Sequence, residues 1–300
     1  MVWRSVMISR PARLRREHYS LAIEQEETAF VPFEDIAVIV LDHQEITLTH
    51  PVLSACAEYG IGLFATGRTH QPAGVFLPFL PHSRTTRMMR LQLGIGRPAA
   101  KQAWASIVRR KIENQAACLR LCGKKGADRL ASYARRVRSG DPDNLEAQAA
   151  AFYFAQLFGN DFSREDARWV NAALDYGYAV LRGAIARGLV AHGLHPTIGL
   201  FHDSEQNAFN LADDLIEPFR PLVDLHVAKH AALTEGDLIP ADKRALVALL
   251  NVDVAMPQGR MSALSAIEYA VESLVRIYEG ETKELQLPIL AGLQAHRLEY

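Results

Sequence analysis

Cysteine is nearly absent: Cys56, Cys118 and Cys122 are the only three among 300 residues, and no two stand in CxxC spacing. So small and odd a set excludes a disulfide framework and leaves too few thiols for a structural zinc site. Long apolar runs are missing as well. None approaches the roughly 18 residues that a membrane span needs, and the opening Met1-Val2-Trp3-Arg4-Ser5 lacks the extended apolar stretch of a signal peptide. A cytoplasmic protein with no membrane partner is therefore expected. Net charge is also lacking, at −1 from 33 basic and 34 acidic residues, so the total does not point to a polyanion partner. The 49% hydrophobic and 22% charged residues are an ordinary globular composition, and the length suits one large domain or a small one beside a larger.

The balance of charge conceals an uneven distribution. Between Arg84 and Arg138 the chain carries fifteen lysines and arginines against only Glu113 and Asp128. Such a stretch can form a nucleic-acid surface whatever the net charge. Arg84, Arg87, Arg109, Arg110 and Lys111 are the candidate phosphate contacts. The plainer alternative is that some pair with Glu113 or Asp128, or lay their stems on neighbouring helices.

Residue patterning divides the chain. Short β-rich runs at 2–8, 19–24, 36–41, 46–48, 62–65 and 73–75, with one short helix at 51–60, predict a small β-rich domain over residues 1–80. Two prolines in Phe76-Leu77-Pro78-Phe79-Leu80-Pro81-His82-Ser83 mark a boundary. Beyond it, helical periodicity recurs at 84–94, 98–122, 126–138, 143–158, 163–191, 206–217, 220–231, 241–251 and 260–279. The expectation is an α+β protein whose larger domain, 84–285, is nearly all helix, followed by a tail of uncertain order at 286–300.

Three segments hold residues capable of chemistry. Glu146 follows the turn-forming Gly140-Asp141-Pro142-Asp143 and falls in the first turn of a helix, on the face of Ala149, Ala150 and Tyr153. An acid favoured by the helix N-terminus would look the same. The loop from His192 to Asp203 exposes His195 or His202, of which His202 is the better candidate, although either also suits an ordinary loop histidine. In Asp213-Asp214-Leu215-Ile216-Glu217-Pro218-Phe219-Arg220, spacings of three and four place the acids on one helical face, beside an apolar stripe. Like charges so placed repel, so a cation is called for: a divalent ion, Arg220, or simply solvent around an acidic face. Carboxylates with one imidazole suit Mg2+ or Mn2+, ions that promote phosphodiester chemistry.

Several blocks together resemble one family, the CRISPR-associated Cas-one integrases, in the type II branch that accompanies Cas nine. They include residues 33–42, Thr49-His50, Ala57-Glu58-Tyr59-Gly60-Ile61, Lys101-Gln102-Ala103-Trp104, residues 109–116, residues 139–146, residues 171–179 and residues 211–221. The resemblance spans about residues 31 to 224. It implies a homodimer with an N-terminal β domain and a C-terminal helical domain, acting with a dimer of the Cas-two protein on double-stranded DNA. It implies metal ligands at Glu146, His202 and Glu217, with Asp214 a further acid near the metal and Asn207 and Asn210 in support. Asp175 departs from the family's usual Asn before Tyr-Gly-Tyr, outside the metal constellation. The implied reaction joins the 3′-hydroxyl ends of a short captured duplex to the strands of a CRISPR repeat by direct transesterification. A hydrolytic metal-dependent nuclease and a non-catalytic DNA-binding scaffold are the rival readings.

Overall fold

The computed structural model describes residues 4–67, 72–78, 83–165, 169–231 and 236–296. Strands come first and helices follow, as the patterning predicts. Strands β1 (Arg4–Ile8), β5 (Ile36–Leu41), β7 (Gly62–Thr66) and β8 (Pro72–Phe76) form one sheet in the order β1-β5-β7-β8, parallel except for β8. A second sheet, in the order β4-β3-β2-β6, contains β2 (Ala12–Glu17), β3 (Ser20–Glu24), β4 (Thr28–Pro32) and β6 (Ile46–Leu48). Two of these strands were not in the predicted set. β2 interleaves Arg13, Arg15 and Arg16 with its apolar residues, and β4 is a largely exposed edge, so neither shows strong apolar alternation.

The run Ile36-Ala37-Val38-Ile39-Val40-Leu41 is apolar without a break because β5 is flanked on both edges and covered on both faces. Ile36 and Ile39 join a small core with Leu14, Leu21, Phe33 and helix α1 (His50–Glu58), whereas Val38 and Val40 join the main core with the helices. The β-rich half is therefore packed against the helical half along one face. A Cβ at Gly183 would lie 2.0 Å from Phe64 Cε1, so the β7 ring rests directly on helical backbone. Arg187 Nε donates to Gly60 O at 2.8 Å, and Lys243 Nζ reaches Asp42 Oδ2 at 3.2 Å, both across the same junction. In the proposed boundary stretch β8 ends at Phe76 and the first following helix starts at Thr85; residues 79–82 lie outside the described residues, as do Val2 and Trp3 of the first predicted strand.

The helices are α2 (Thr85–Leu93), α3 (Arg97–Leu121), α4 (Ala127–Arg136), α5 (Leu145–Phe158), α6 (Trp169–Ala191), α7 (Asn210–Ile216), α8 (Arg220–His230), α9 (Pro240–Ala248) and α10 (Ala263–Tyr278). Among the described residues no helix is long and apolar enough to cross a membrane. Helix α6 is the central element, with both its flanks buried by other helices and by β7. Three expected helix starts need correction: those at 163, 206 and 260 become Trp169, Asn210 and Ala263, the last preceded by a hairpin of β9 (Asp253–Met256) and β10 (Gly259–Ser262). Gly259, at φ 127°, serves the turn, and Ser262 caps the helix by accepting from Ser265 N at 3.1 Å. The described part of the tail, 286–296, packs on the rest of the protein. Leu287 and Leu290 are buried, and bridges join Ile289 to Ala255 and Ala295 to Val252.

Candidate active site

The turn before α5 is built to present Glu146. Gly140, Asp141 and Asn144 all take positive φ, at 77°, 45° and 49°. The buried Asp141 carboxylate then accepts from Leu145 N at 3.0 Å and Glu146 N at 2.9 Å, satisfying two of the free amides that open the helix. Glu146 is thereby held half-buried at the N-terminal end of α5, facing α3. There its Oε1 meets the ammonium of Lys111.

The same ammonium meets Glu217. Lys111 is 7% exposed and Glu217 6%, and the lysine Nζ is ion-paired to both carboxylates. Glu217 follows the last residue of α7, where Pro218 interrupts the helical path before α8. Its other oxygen, Oε1, lies 2.9 Å from Arg220 Nε. Burial alone would push the Glu217 carboxyl up, but Arg220 and Lys111 outweigh burial and hold it below the usual range. Burial would likewise pull Lys111 down, and Glu217 and Glu146 overcome that and raise it. Arg220 is fixed from the far side by the Tyr178 ring, 4.6 Å from its Cζ. Tyr178 in turn donates to buried Asp224, as does Tyr153 at 2.9 Å.

The three acids that share a helical face in the sequence serve three different partners. Asp213 accepts from Asn207 Nδ2 at 2.7 Å. Asp214, fully buried, accepts from the backbone of Leu200 at 2.5 Å, Phe201 at 3.1 Å and His202 at 3.2 Å, and from His202 Nδ1 at 2.7 Å. Both its oxygens are thus committed to holding the loop. The imidazole hydrogen bond raises His202 above the ordinary range against partial burial. Gly199 is required beneath the loop, because a Cβ there would fall 2.2 Å from His202 O. Asn210 closes the loop by accepting from Ser204 N at 3.2 Å and donating to Ser204 O at 2.9 Å. His195 is exposed and turned elsewhere, with its backbone tied to Gln92.

Of the expected ligands, Glu146 and Glu217 converge on one cationic position, and His202 stands beside Asp214 with Nε2 as its remaining ring nitrogen. Among the described residues no three His, Cys, Asp or Glu side chains close on a common point. The donor set nevertheless fits a hard divalent ion, because Glu146 Oε1 and the buried Glu217 Oε2 already share one cation. Lys111 is expected among the phosphate contacts, and the structure gives it a different setting. It lies buried in this acid cluster. Asp141 and the Tyr178–Asp224 support were missed; only the turn chemistry around 140–144 signalled the former.

The other basic candidates lie outside the cluster. Arg84 and Arg87 are exposed near α2, with Arg87 Nη1 2.5 Å from Glu279. Arg109 donates to Val137 O at 3.1 Å, and Arg110 pairs with Glu113 at 2.9 Å.

Comparison with known proteins bears on this arrangement. A family model described as CRISPR associated protein Cas1 matches residues 6–244. The CRISPR-associated endonuclease Cas1 of Neisseria meningitidis is 43% identical over 305 residues, covering 100% of both chains. A Cas1 endonuclease of Thermus thermophilus is 29% identical over 248 residues, 76% of this chain and 74% of that protein. Among solved structures, a casposase bound to integration product has a TM-score of 0.77 at 18% identity, covering 95% of this chain and 92% of that one. A Cas1 protein from Thermotoga maritima has a TM-score of 0.74 at 19% identity, covering 97% and 100%. At such identities these two structures establish the shared fold alone.

Proposed function

The chain belongs to the CRISPR-associated Cas1 family, and on that premise we propose that it is a DNA integrase that joins captured DNA ends to a CRISPR repeat. The carrying observation is the convergence of Glu146 and Glu217, from separate helices, on one cation position with His202 alongside. End-to-end identity of 43% to a named Cas1 endonuclease, and the fold of a casposase bound to integration product, support the same reading.

In this reading Glu146, Glu217 and His202 Nε2 would hold Mg2+ or Mn2+ where the Lys111 ammonium now sits. When bound, such an ion supplies Lewis-acid stabilisation of the charge that builds on the reacting phosphodiester. The protein's own residues do the positioning. Asp214 takes Nδ1–H of His202 and so fixes the ring with Nε2 facing away from that bond. Arg220 keeps Glu217 ionised and in place. The Asp141 turn sets Glu146 at the end of its helix. Direct transesterification needs no covalent enzyme intermediate, so aligning the incoming 3′-hydroxyl with the target phosphate is the main task.

The exposed arginines of 84–138 would carry the DNA backbone, and the β-rich half, residues 1 to about 80, would form the homodimer. A solved Cas6-RT-Cas1–Cas2 complex, part of whose chain shares this fold, supports Cas2 as the partner. Because relatives are named endonucleases, hydrolysis is the competing outcome. The test is a labelled short duplex incubated with a repeat-bearing plasmid, Cas2 and Mn2+. Joined products that disappear in Glu146→Ala, His202→Ala and Glu217→Ala support the proposal. Cleavage without joining supports the nuclease, and near-normal joining by all three variants removes the site.

A further inference from the structure

Beside the acid cluster stands an aromatic ring that covers a buried indole and still faces solvent. Phe201 is 56% exposed, yet its ring is stacked on buried Trp104 with centroids 4.3 Å apart and planes 1° from parallel. It also stands edge-on to the His202 ring at 5.7 Å. The backbone beneath is rigid, since Leu200, Phe201 and His202 all donate their amides to Asp214. One ring face is thus held against Trp104 while the rest of the residue is presented to solvent at the edge of the site.

The surroundings say what could lie there. Trp104 and Lys111 are seven residues apart on α3 and therefore on one face of the helix, with Lys101 and Arg97 continuing that face toward the N-terminus. Both Lys101 and Arg97 are exposed. Following α3, a ligand that reaches Glu146 and Glu217 through Lys111 would next pass Phe201 and then two cations. A nucleic-acid strand matches that order: reacting phosphate, flat base, further phosphates.

We propose that Phe201 is a base-stacking residue that holds an unpaired or terminal nucleobase next to the reacting phosphodiester, with Lys101 and Arg97 taking the neighbouring phosphates. This rests on the integrase reading and names how that site grips its DNA. The ring is held by Trp104 and by the Asp214-locked loop, so little freedom is lost when a base lands on it.

The test uses the full-length protein with Cas2 and short duplexes carrying 2-aminopurine either at the nucleotide bearing the reactive 3′-hydroxyl or in mid-duplex. Binding to wild type should change the terminal fluorescence and leave the internal probe unchanged. Phe201→Ala and Phe201→Leu should lose the terminal signal and weaken DNA binding by about 10-fold, the scale of one lost base stack. Phe201→Tyr and Phe201→Trp should restore both. Phe201→Leu keeps apolar cover on Trp104, so it separates loss of the ring from loss of folding. A terminal signal that survives in Phe201→Leu overturns the proposal, as does loss of Cas2 association with the signal intact. Strand joining by wild type with no Phe201-dependent signal overturns the stacking alone. A Phe201-dependent signal without any strand joining overturns the integrase reading and leaves the stacking standing.

Discussion

Replacing Lys111 by Met tests the cation position most directly, because the apolar chain has similar length and lacks only the charge. In the wild type the ammonium is buried with Glu146 and Glu217, and their carboxylates raise its pKa despite burial. Removing one partner from a buried ion pair costs about 3–5 kcal/mol, since the other charge remains desolvated. Two features put this case near the lower end. Glu146 is 27% exposed and can rehydrate, and Glu217 keeps Arg220 at 2.9 Å. A loss of about 3 kcal/mol is therefore expected in EDTA, read by urea titration. Added Mn2+ should then reverse the loss, because an ion at 100 times its Kd contributes about 2.7 kcal/mol to the form that binds it. Wild type should gain less, since there the ion must displace the ammonium. Equal stability of the two proteins in EDTA, or equal stabilisation of both by Mn2+, would refute the idea that lysine and metal share one position.

Asp224→Asn probes the layer behind Arg220. Burial pushes the Asp224 carboxyl up to about 6 from an ordinary value of 3.8, so the stability held by its protonated form is lost as pH rises through that window, by roughly 3 kcal/mol. The Asn variant should show no such loss, and parallel stability curves for the two proteins from about pH 4 to 7 would contradict this. Asp141→Ala removes an acceptor from two helix-opening amides. It should cost about 1–2 kcal/mol and reduce strand joining by releasing Glu146; unchanged joining would show that the turn does not position that residue. Removing Arg84, Arg109 and Arg110 together should flatten the salt dependence of DNA binding by about one unit for each phosphate no longer neutralised. Arg87→Ala and Arg110→Ala taken singly should each do less than Arg109→Ala, because the carboxylates of Glu279 and Glu113 already hold those two guanidiniums. An unaltered slope in the triple variant would place the DNA elsewhere.

Strand and helix order was legible because each half carries its own periodicity, and β5 shows it best: an unbroken apolar run in a strand covered on both faces. Where periodicity was weak the reading failed. β2 is dense in arginine, β4 is an exposed edge, and the β9–β10 hairpin has strands of only four residues, set in the short gap between the helical patterns 241–251 and 260–279 and at the start of the second. The order of the tail stays open in the sequence for the same reason. Its order comes from partners far away in the chain, above all Asn114, which donates to Pro218 O at 2.7 Å and Pro288 O at 2.9 Å and accepts from Leu290 N at 3.0 Å.

The candidate site divides along similar lines. Residue type, helical spacing and loop setting, all properties of short segments, marked Glu146, His195 or His202, and the acids Asp213, Asp214 and Glu217 as candidates, and only the family resemblance selected Glu146, His202 and Glu217 as ligands with Asp214 beside them. Their division of labour could not be read that way. Spacing alone placed Asp213, Asp214 and Glu217 together, yet one binds Asn207, one saturates a loop, and one faces Lys111. Lys111 read as one more positive charge in a basic stretch, because a lysine's burial depends on what packs over its helix. Packing α3 against α5 and α8 brought Glu146 and Glu217 to it from distant parts of the chain. Local pattern thus determined which elements form and which side chains are capable of chemistry. Only the tertiary fold decided which opposite charges meet out of water, where a bare charge is too costly to leave without a partner.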